Sequence, residues 1–237
     1  MKNNFYMLKN KTYIFFTILT IILGSISVLF NITNTFSNNI FINYFECITN
    51  PFSIASILLI TMGITSKTTN EIKNNYNYIL RLNNRKTFIK KCIKKIILLI
   101  TVNLLIVYLI PFIIFLVSNL NKEIVNHDVY NISMIIYLTF FVFKNIILIN
   151  LLNILFFIFS LTSKRLNYLY FLLILYIVIS PVNITINKFS FDPSYYFIGV
   201  TYSNFILEVS YTILYISLFY IIIYLLYRVY LKLKIDL

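Results

Sequence analysis

The stretch Ile132–Ser160 reads ISMIIYLTFFVFKNIILINLLNILFFIFS, twenty-nine residues in which Lys144 is the single charge. A helix needs about 20 apolar residues to cross a hydrocarbon core about 30 Å thick. This run exceeds that length, so it crosses at a tilt or extends past the bilayer. Composition agrees with the local reading: 60% of the 237 residues are hydrophobic, 11% are charged, and mean hydropathy is +0.86. Soluble domains carry about 45–50% apolar and about 25% charged residues. A water-soluble globule is excluded.

Working outward, five further apolar runs are predicted to span: Tyr13–Phe30, Ile48–Thr65, Ile96–Val117, Leu166–Ile186 and Phe205–Tyr227. The expected fold class is an all-α polytopic membrane protein with six transmembrane helices in one domain over residues 1–237. The second run is the least regular, because its clean apolar part after Pro51 is only Phe52–Thr65. A stretch that short is re-entrant or borrows length from Ile40–Ile48. The first run is followed by Asn31-Ile32-Thr33-Asn34 rather than a small-residue cleavage site, so it is expected to stay in the mature chain.

Orientation follows from Lys and Arg in the connections. One side holds Lys2, Lys9 and Lys11 before the first run, and nine basic residues from Lys67 to Lys95 between the second and third. It also holds Lys164 and Arg165 after the fourth, and Arg228, Lys232 and Lys234 at the end. That makes 17 basic residues against two, Lys122 and Lys188, on the other side. Both termini are therefore expected in the cytoplasm. The net charge of +13 sits mostly beside predicted span ends, where it sets topology and meets anionic membrane lipid. No soluble scaffold presents it to nucleic acid, so no nucleic-acid partner is expected. Sixteen Lys against four Arg, with abundant Ile, Asn, Tyr and Phe, reflect AT-rich codons and point to a low-GC bacterium.

Residues Lys67–Lys95 form the one sizeable hydrophilic connection. Within Asn70–Leu82, Ile72, Tyr76, Ile79 and Leu80 recur at i, i+4, i+7 and i+8, the spacing of an amphipathic helix. Glu71 suits the start of such a helix and Arg81 its end. Asn83-Asn84 breaks the pattern, and a second helix is expected from about Arg85–Thr87 directly into the third span, with Phe88, Cys92 and Ile96 on one face. Periodicity admits two roles: an interfacial helix held by lipid headgroups, or a docking element for a cytoplasmic partner.

With both termini inside and a basic helix–break–helix between spans two and three, the layout resembles the permease subunits of ABC-2 type exporters. The residues carrying the likeness are Thr65-Ser66-Lys67-Thr68-Thr69-Asn70-Glu71 and Tyr78-Ile79-Leu80-Arg81-Leu82-Asn83-Asn84-Arg85. Pro181 and Phe191-Asp192-Pro193-Ser194-Tyr195-Tyr196-Phe197 are similar to the short external hairpin of that family between spans five and six. The resemblance implies a coupling helix that meets an ATPase subunit, with coupling on Glu71, Tyr76, Ile79, Leu80, Arg81 and Arg85. It also implies a second permease copy or a sister permease. The small low-GC examples that the chain resembles belong to Gram-positive cell membranes and to bacteriocin or lantibiotic immunity and export. The cargo is then an antimicrobial peptide or another amphipathic, lipid-like molecule. The contrasting class is a stand-alone immunity or sensor protein that binds a peptide without an ATPase.

Catalytic and cofactor chemistry find no residues. Three glycines, Gly24, Gly63 and Gly199, cannot build a G-x-x-x-x-G-K-[ST] phosphate loop, so ATP hydrolysis is expected on a separate subunit. His127 is the only histidine, and no second His or Cys stands at ligand spacing, so no metal is expected. Cys47 and Cys92 fall on opposite sides of the predicted membrane and read as small apolar residues. Neither Glu46 nor Glu208, the acids at the predicted span ends, lies beside a histidine to serve as a general base, so no catalytic residue is assigned.

Inside the spans, Lys144 is the main anomaly, since a mid-bilayer charge costs about 2.5–3.5 kcal/mol on insertion scales. Counting back about 20 residues from Ser160 puts it about one turn below the outer interface. There it snorkels or forms an ion pair, and a cargo or gating role is the alternative. Glu208 at the outer start of span six has matching depth and is the candidate partner. Asn103, Asn150 and Asn153 also lie in spans. Asn150 and Asn153 share a face at 100° per residue while Lys144 points elsewhere, so interhelical hydrogen bonds are expected rather than a polar pore. Pro111 is expected to kink the third span rather than to gate it.

Overall fold

A computed structural model describes four helices: α1 Pro51–Asn74, α2 Arg85–Ser118, α3 Met134–Thr162 and α4 Phe205–Ile235. It also describes residues 14, 15, 18, 19, 22, 44, 45, 48, 49, 132, 133, 172, 175, 196 and 204. Among the described residues there is no β-strand. Three segments are long and apolar enough to cross a membrane: Thr87–Ile110 in α2, Met134–Leu161 in α3 and Phe205–Val229 in α4. Most of the expected spans Tyr13–Phe30 and Leu166–Ile186 lies outside the described residues.

Local sequence explains the helix ends. Pro51 opens α1 at the position where a missing N–H costs nothing. Asn204 precedes α4, and its side-chain oxygen accepts the N–H of Ile206 at 3.0 Å, an N-cap. The helix that carries the second apolar run continues past Thr65 to Asn74. Thr68 and Thr69 stay in it as buried residues, each hydroxyl bonded to the carbonyl four residues back. No separate helix therefore starts at Asn70. α2 is continuous from Arg85 through Pro111 to Ser118.

Burial sets the arrangement. Over the apolar 18-residue stretch of each helix, 78% of residues are buried in α3, against 39% in α2 and 11% in α4. A helix apolar all round is a core helix, and α3 is that helix. It touches α1, α2 and α4, and Tyr137, Phe141, Phe156 and Phe157 are fully enclosed around it. α4 contributes only Tyr215 and Ile223 to the apolar core. Within lipid, burial carries no hydrophobic drive between helices, so shape fit and interhelical hydrogen bonds hold such a bundle.

The helix directions follow from the contacts. Phe205 meets Phe140 and Tyr137 while Glu208 meets Lys144, so α4 runs parallel to α3. Phe45, before α1, packs on Tyr137 and Phe141, and Thr61 and Thr65 reach Asn153, so α1 is also parallel to α3. α2 is antiparallel: Tyr108 contacts Asn145 and Thr101 contacts Asn150. The directions also collect Lys67 of α1, Lys90, Lys91 and Lys94 of α2, and Arg228 of α4 at the end where α3 finishes.

Candidate functional site

Toward the opposite end, the packing of α3 and α4 forms a buried ion pair. Lys144 Nζ lies 3.0 Å from Glu208 Oε1, and the two side chains are 2% and 1% exposed. The ammonium also stands 4.7 Å from the Phe141 ring centroid and 5.5 Å from that of Phe140, within cation–π reach. Each element of the pair is locally explained. A helical side chain leans toward its helix N-terminus, which carries Lys144 toward the start of α4. Glu208 sits in the first turn of α4, where the helix dipole favours a carboxylate. Lys144 is ten residues into α3, about 15 Å from its start at 1.5 Å per residue, and it is closed off from solvent. Snorkelling to the interface is thereby replaced by pairing.

Two asparagines hold the other neighbours, by one geometry. Asn153 donates from Nδ2 to the Ile149 carbonyl of its own helix at 2.9 Å and to Thr61 Oγ1 of α1 at 3.1 Å. The Thr65 hydroxyl completes this contact by donating to Asn153 Oδ1 at 2.9 Å, with the Thr61 carbonyl at 3.0 Å as a second acceptor. Asn150 donates to the Ile146 carbonyl at 2.9 Å and to Thr101 Oγ1 of α2 at 3.0 Å. Each amide thus spends one proton on its own helix and one across the interface. Lys144 binds α4, Asn150 binds α2 and Asn153 binds α1, so these polar residues of α3 radiate to three helices and do not line one common face among the described residues. Asn103 bonds only the Leu99 carbonyl of its own helix, at 2.8 Å. Tyr44 adds a further tie, donating to the Tyr108 carbonyl at 2.9 Å.

The expected coupling residues fare differently. Tyr76, Ile79, Leu80 and Arg81 lie outside the described residues. Glu71 falls in the last turn of α1 and Arg85 is the first residue of α2. Next to them, Ile89, Cys92 and Ile96 are buried against the bundle while Lys90, Lys91 and Lys94 are exposed. The apolar face of the first turns of α2 is therefore occupied within the chain, and only its basic face is open. Among the described residues no three His, Cys, Asp or Glu side chains group as metal ligands.

Sequence reading missed the threonines. Thr61, Thr65 and Thr68 recur at i, i+4 and i+7, a stripe at helical spacing on α1, and all are buried. The stripe straddles the expected span end at Thr65, so its members do not read as one feature. Replacement of Asn153 by Leu tests the stripe. With interhelical hydrogen bonds averaging about 0.6 kcal/mol each in membranes, it is expected to lower bundle stability by about 1 kcal/mol. A double-mutant cycle with Thr65→Val in bicelles measures the coupling, and no coupling would mean the contact is incidental.

The buried ion pair, the asparagine–threonine ties and the apolar helix lengths define a membrane-embedded helical bundle. No family model, curated protein or solved structure matches the chain.

Proposed function

We propose that the chain is the membrane-spanning permease subunit of an ATP-driven ABC exporter. It pairs with a second copy or a sister permease and depends on a separate ATPase subunit for hydrolysis. Its place is the cell membrane, and its cargo is an antimicrobial peptide or another amphipathic, lipid-like molecule. The observation that carries this reading is the basic segment Lys67–Lys95, interposed between two apolar runs and broken at Asn83-Asn84. Support comes from the gathering of Lys67, Lys90, Lys91, Lys94 and Arg228 at one end of the bundle, away from Lys144 and Glu208. An ATPase that meets the permease at that end has a basic rim to dock against. The three helices radiating from α3 supply a body through which movement at the rim reaches the membrane interior.

The deciding experiment is affinity purification of the tagged full chain from native membranes, with any co-purifying ATPase identified by mass spectrometry. Stoichiometric retention of an ATPase is expected. Recovery of the chain alone, with function intact in those cells, would favour the stand-alone immunity or sensor role.

The six-span topology has its own test. In a variant lacking Cys47 and Cys92, single cysteines at Asn38, Asn121 and Asn187 are expected to label from outside intact cells. A cysteine at Asn75 is expected to label only after permeabilisation. External labelling at Asn75 would overturn the topology and the cytoplasmic coupling segment with it.

A further inference from the structure

Arg228 is the next-to-last residue of the membrane-length segment Phe205–Val229, and its guanidinium is held in place. Its Nε donates to the Tyr224 hydroxyl at 2.9 Å, and its central carbon lies 5.2 Å from the Tyr224 ring centroid. Both side chains are exposed on the outer face of α4. With Nε engaged, the two terminal amino groups, with four N–H donors, have no partner among the described residues. Within α4 the only acid is Glu208, twenty residues and about 30 Å away along the axis, and it is paired with Lys144. Exposed Lys90, Lys91 and Lys94 of α2 lie at the same end of the bundle. One turn toward the membrane interior, on the same face, Tyr220 and Ile221 are 60% and 52% exposed.

A ligand for this place must combine an oxygen-rich anion at Arg228 with apolar surface along α4. Arginine presents paired N–H donors that match phosphate oxygens, and a tyrosine holding Nε fixes the direction of that fork. Only a lipid carries both parts in one molecule at the edge of a bilayer. We propose that Tyr224 and Arg228 form a binding site for the phosphate of an anionic phospholipid, whose acyl chain lies along Tyr220 and Ile221. The site does not depend on the exporter reading.

The test uses the purified full chain in detergent with a mixture of phosphatidylglycerol and phosphatidylcholine, counting retained lipids by native mass spectrometry. The wild type is expected to retain phosphatidylglycerol preferentially. Arg228→Gln is expected to weaken that preference about fivefold, from roughly 1 kcal/mol per basic residue near an anionic surface. Arg228→Lys keeps the charge but loses the fork, and Tyr224→Phe keeps the ring but frees Nε. Each is expected to weaken retention by about twofold, the scale of one net hydrogen bond. Lys90→Gln removes an equal charge elsewhere on the rim and is expected to change it less than Arg228→Gln. The site is refuted if the wild type shows no preference, if Arg228→Lys retains lipid as well as the wild type, or if Lys90→Gln is as damaging as Arg228→Gln. All three positions are exposed, and unchanged far-ultraviolet circular dichroism confirms that each variant is folded.

Discussion

Replacing Lys144 by Met is expected to lower the stability of the folded bundle by about 3–5 kcal/mol, the cost typical of breaking a buried ion pair from one side. Methionine keeps the apolar stem and its contact with Phe140 and Phe141, so packing loss is small. What changes is Glu208, left as a carboxylate that is 1% exposed with its cationic partner gone. The dipole of α4 still favours that charge, but such an effect is worth only about 0.3–1 kcal/mol in most settings. Combining Lys144→Met with Glu208→Leu removes both charges and is expected to recover most of the loss, because a matched apolar pair is often as stable as a buried ion pair. Unfolding titrations in bicelles, run on the two single variants and the double, measure the coupling. A loss below about 1 kcal/mol for Lys144→Met, far short of the range for a broken buried pair, would show that the pair does not hold α4. If Lys144→Gln abolished transport at unchanged stability and expression, Lys144 would be a cargo or gating residue.

The second large effect concerns the segment Lys67–Lys95, where the proposed exporter would meet its ATPase. Tyr76→Ala combined with Ile79→Ala is expected to reduce affinity for the ATPase by about two orders of magnitude. A docking helix offers apolar anchors to a groove, and burying one contributes about 1.5–3 kcal/mol. Losing two therefore exceeds the roughly 1.4 kcal/mol that separates each tenfold step in affinity. Ile89, Cys92 and Ile96 in the first turns of α2 already pack on their own bundle, so they are not available to a partner. The spans should insert unchanged, because no residue of an apolar run is altered. Retention of the ATPase and of transport by the double variant would leave the segment as an interfacial anchor, and the exporter proposal would lose its main support.

The ion pair also shows how far depth alone reaches. Hydropathy assigns Lys144 and Glu208 comparable heights in two different runs, which is enough to nominate one as partner of the other. It cannot say how α3 and α4 are rotated or whether they touch. The asparagines make the same point: the 100° rule separates Asn150 and Asn153 from Lys144, yet it names no partner for any of them. Thr61 and Thr65 escaped notice because a threonine in a short, irregular run has no distinguishing signature until the helix facing it is known. The extension of α1 to Asn74 was illegible for a related reason. Polar residues such as Thr68 and Thr69 read as connection, whereas in the bundle they are buried and their hydroxyls are met by backbone carbonyls.

Sequence by itself determined that this chain is a helical membrane protein, where its apolar runs lie, and how its basic residues sort between them. Those are properties of single residues and their order: each side chain either tolerates hydrocarbon or does not, and a helix rise of about 1.5 Å per residue converts run length into span. Tertiary structure alone decided that α3 is the core helix and α4 a peripheral one. It also decided that α1 and α4 run parallel to α3, and that Lys144, Asn150 and Asn153 each secure a different neighbour. Those are properties of pairs of helices. In a bilayer, lipid is as apolar as the helix surfaces, so hydropathy does not choose which face meets which, and the choice falls to shape and to a few polar contacts between residues far apart in the chain.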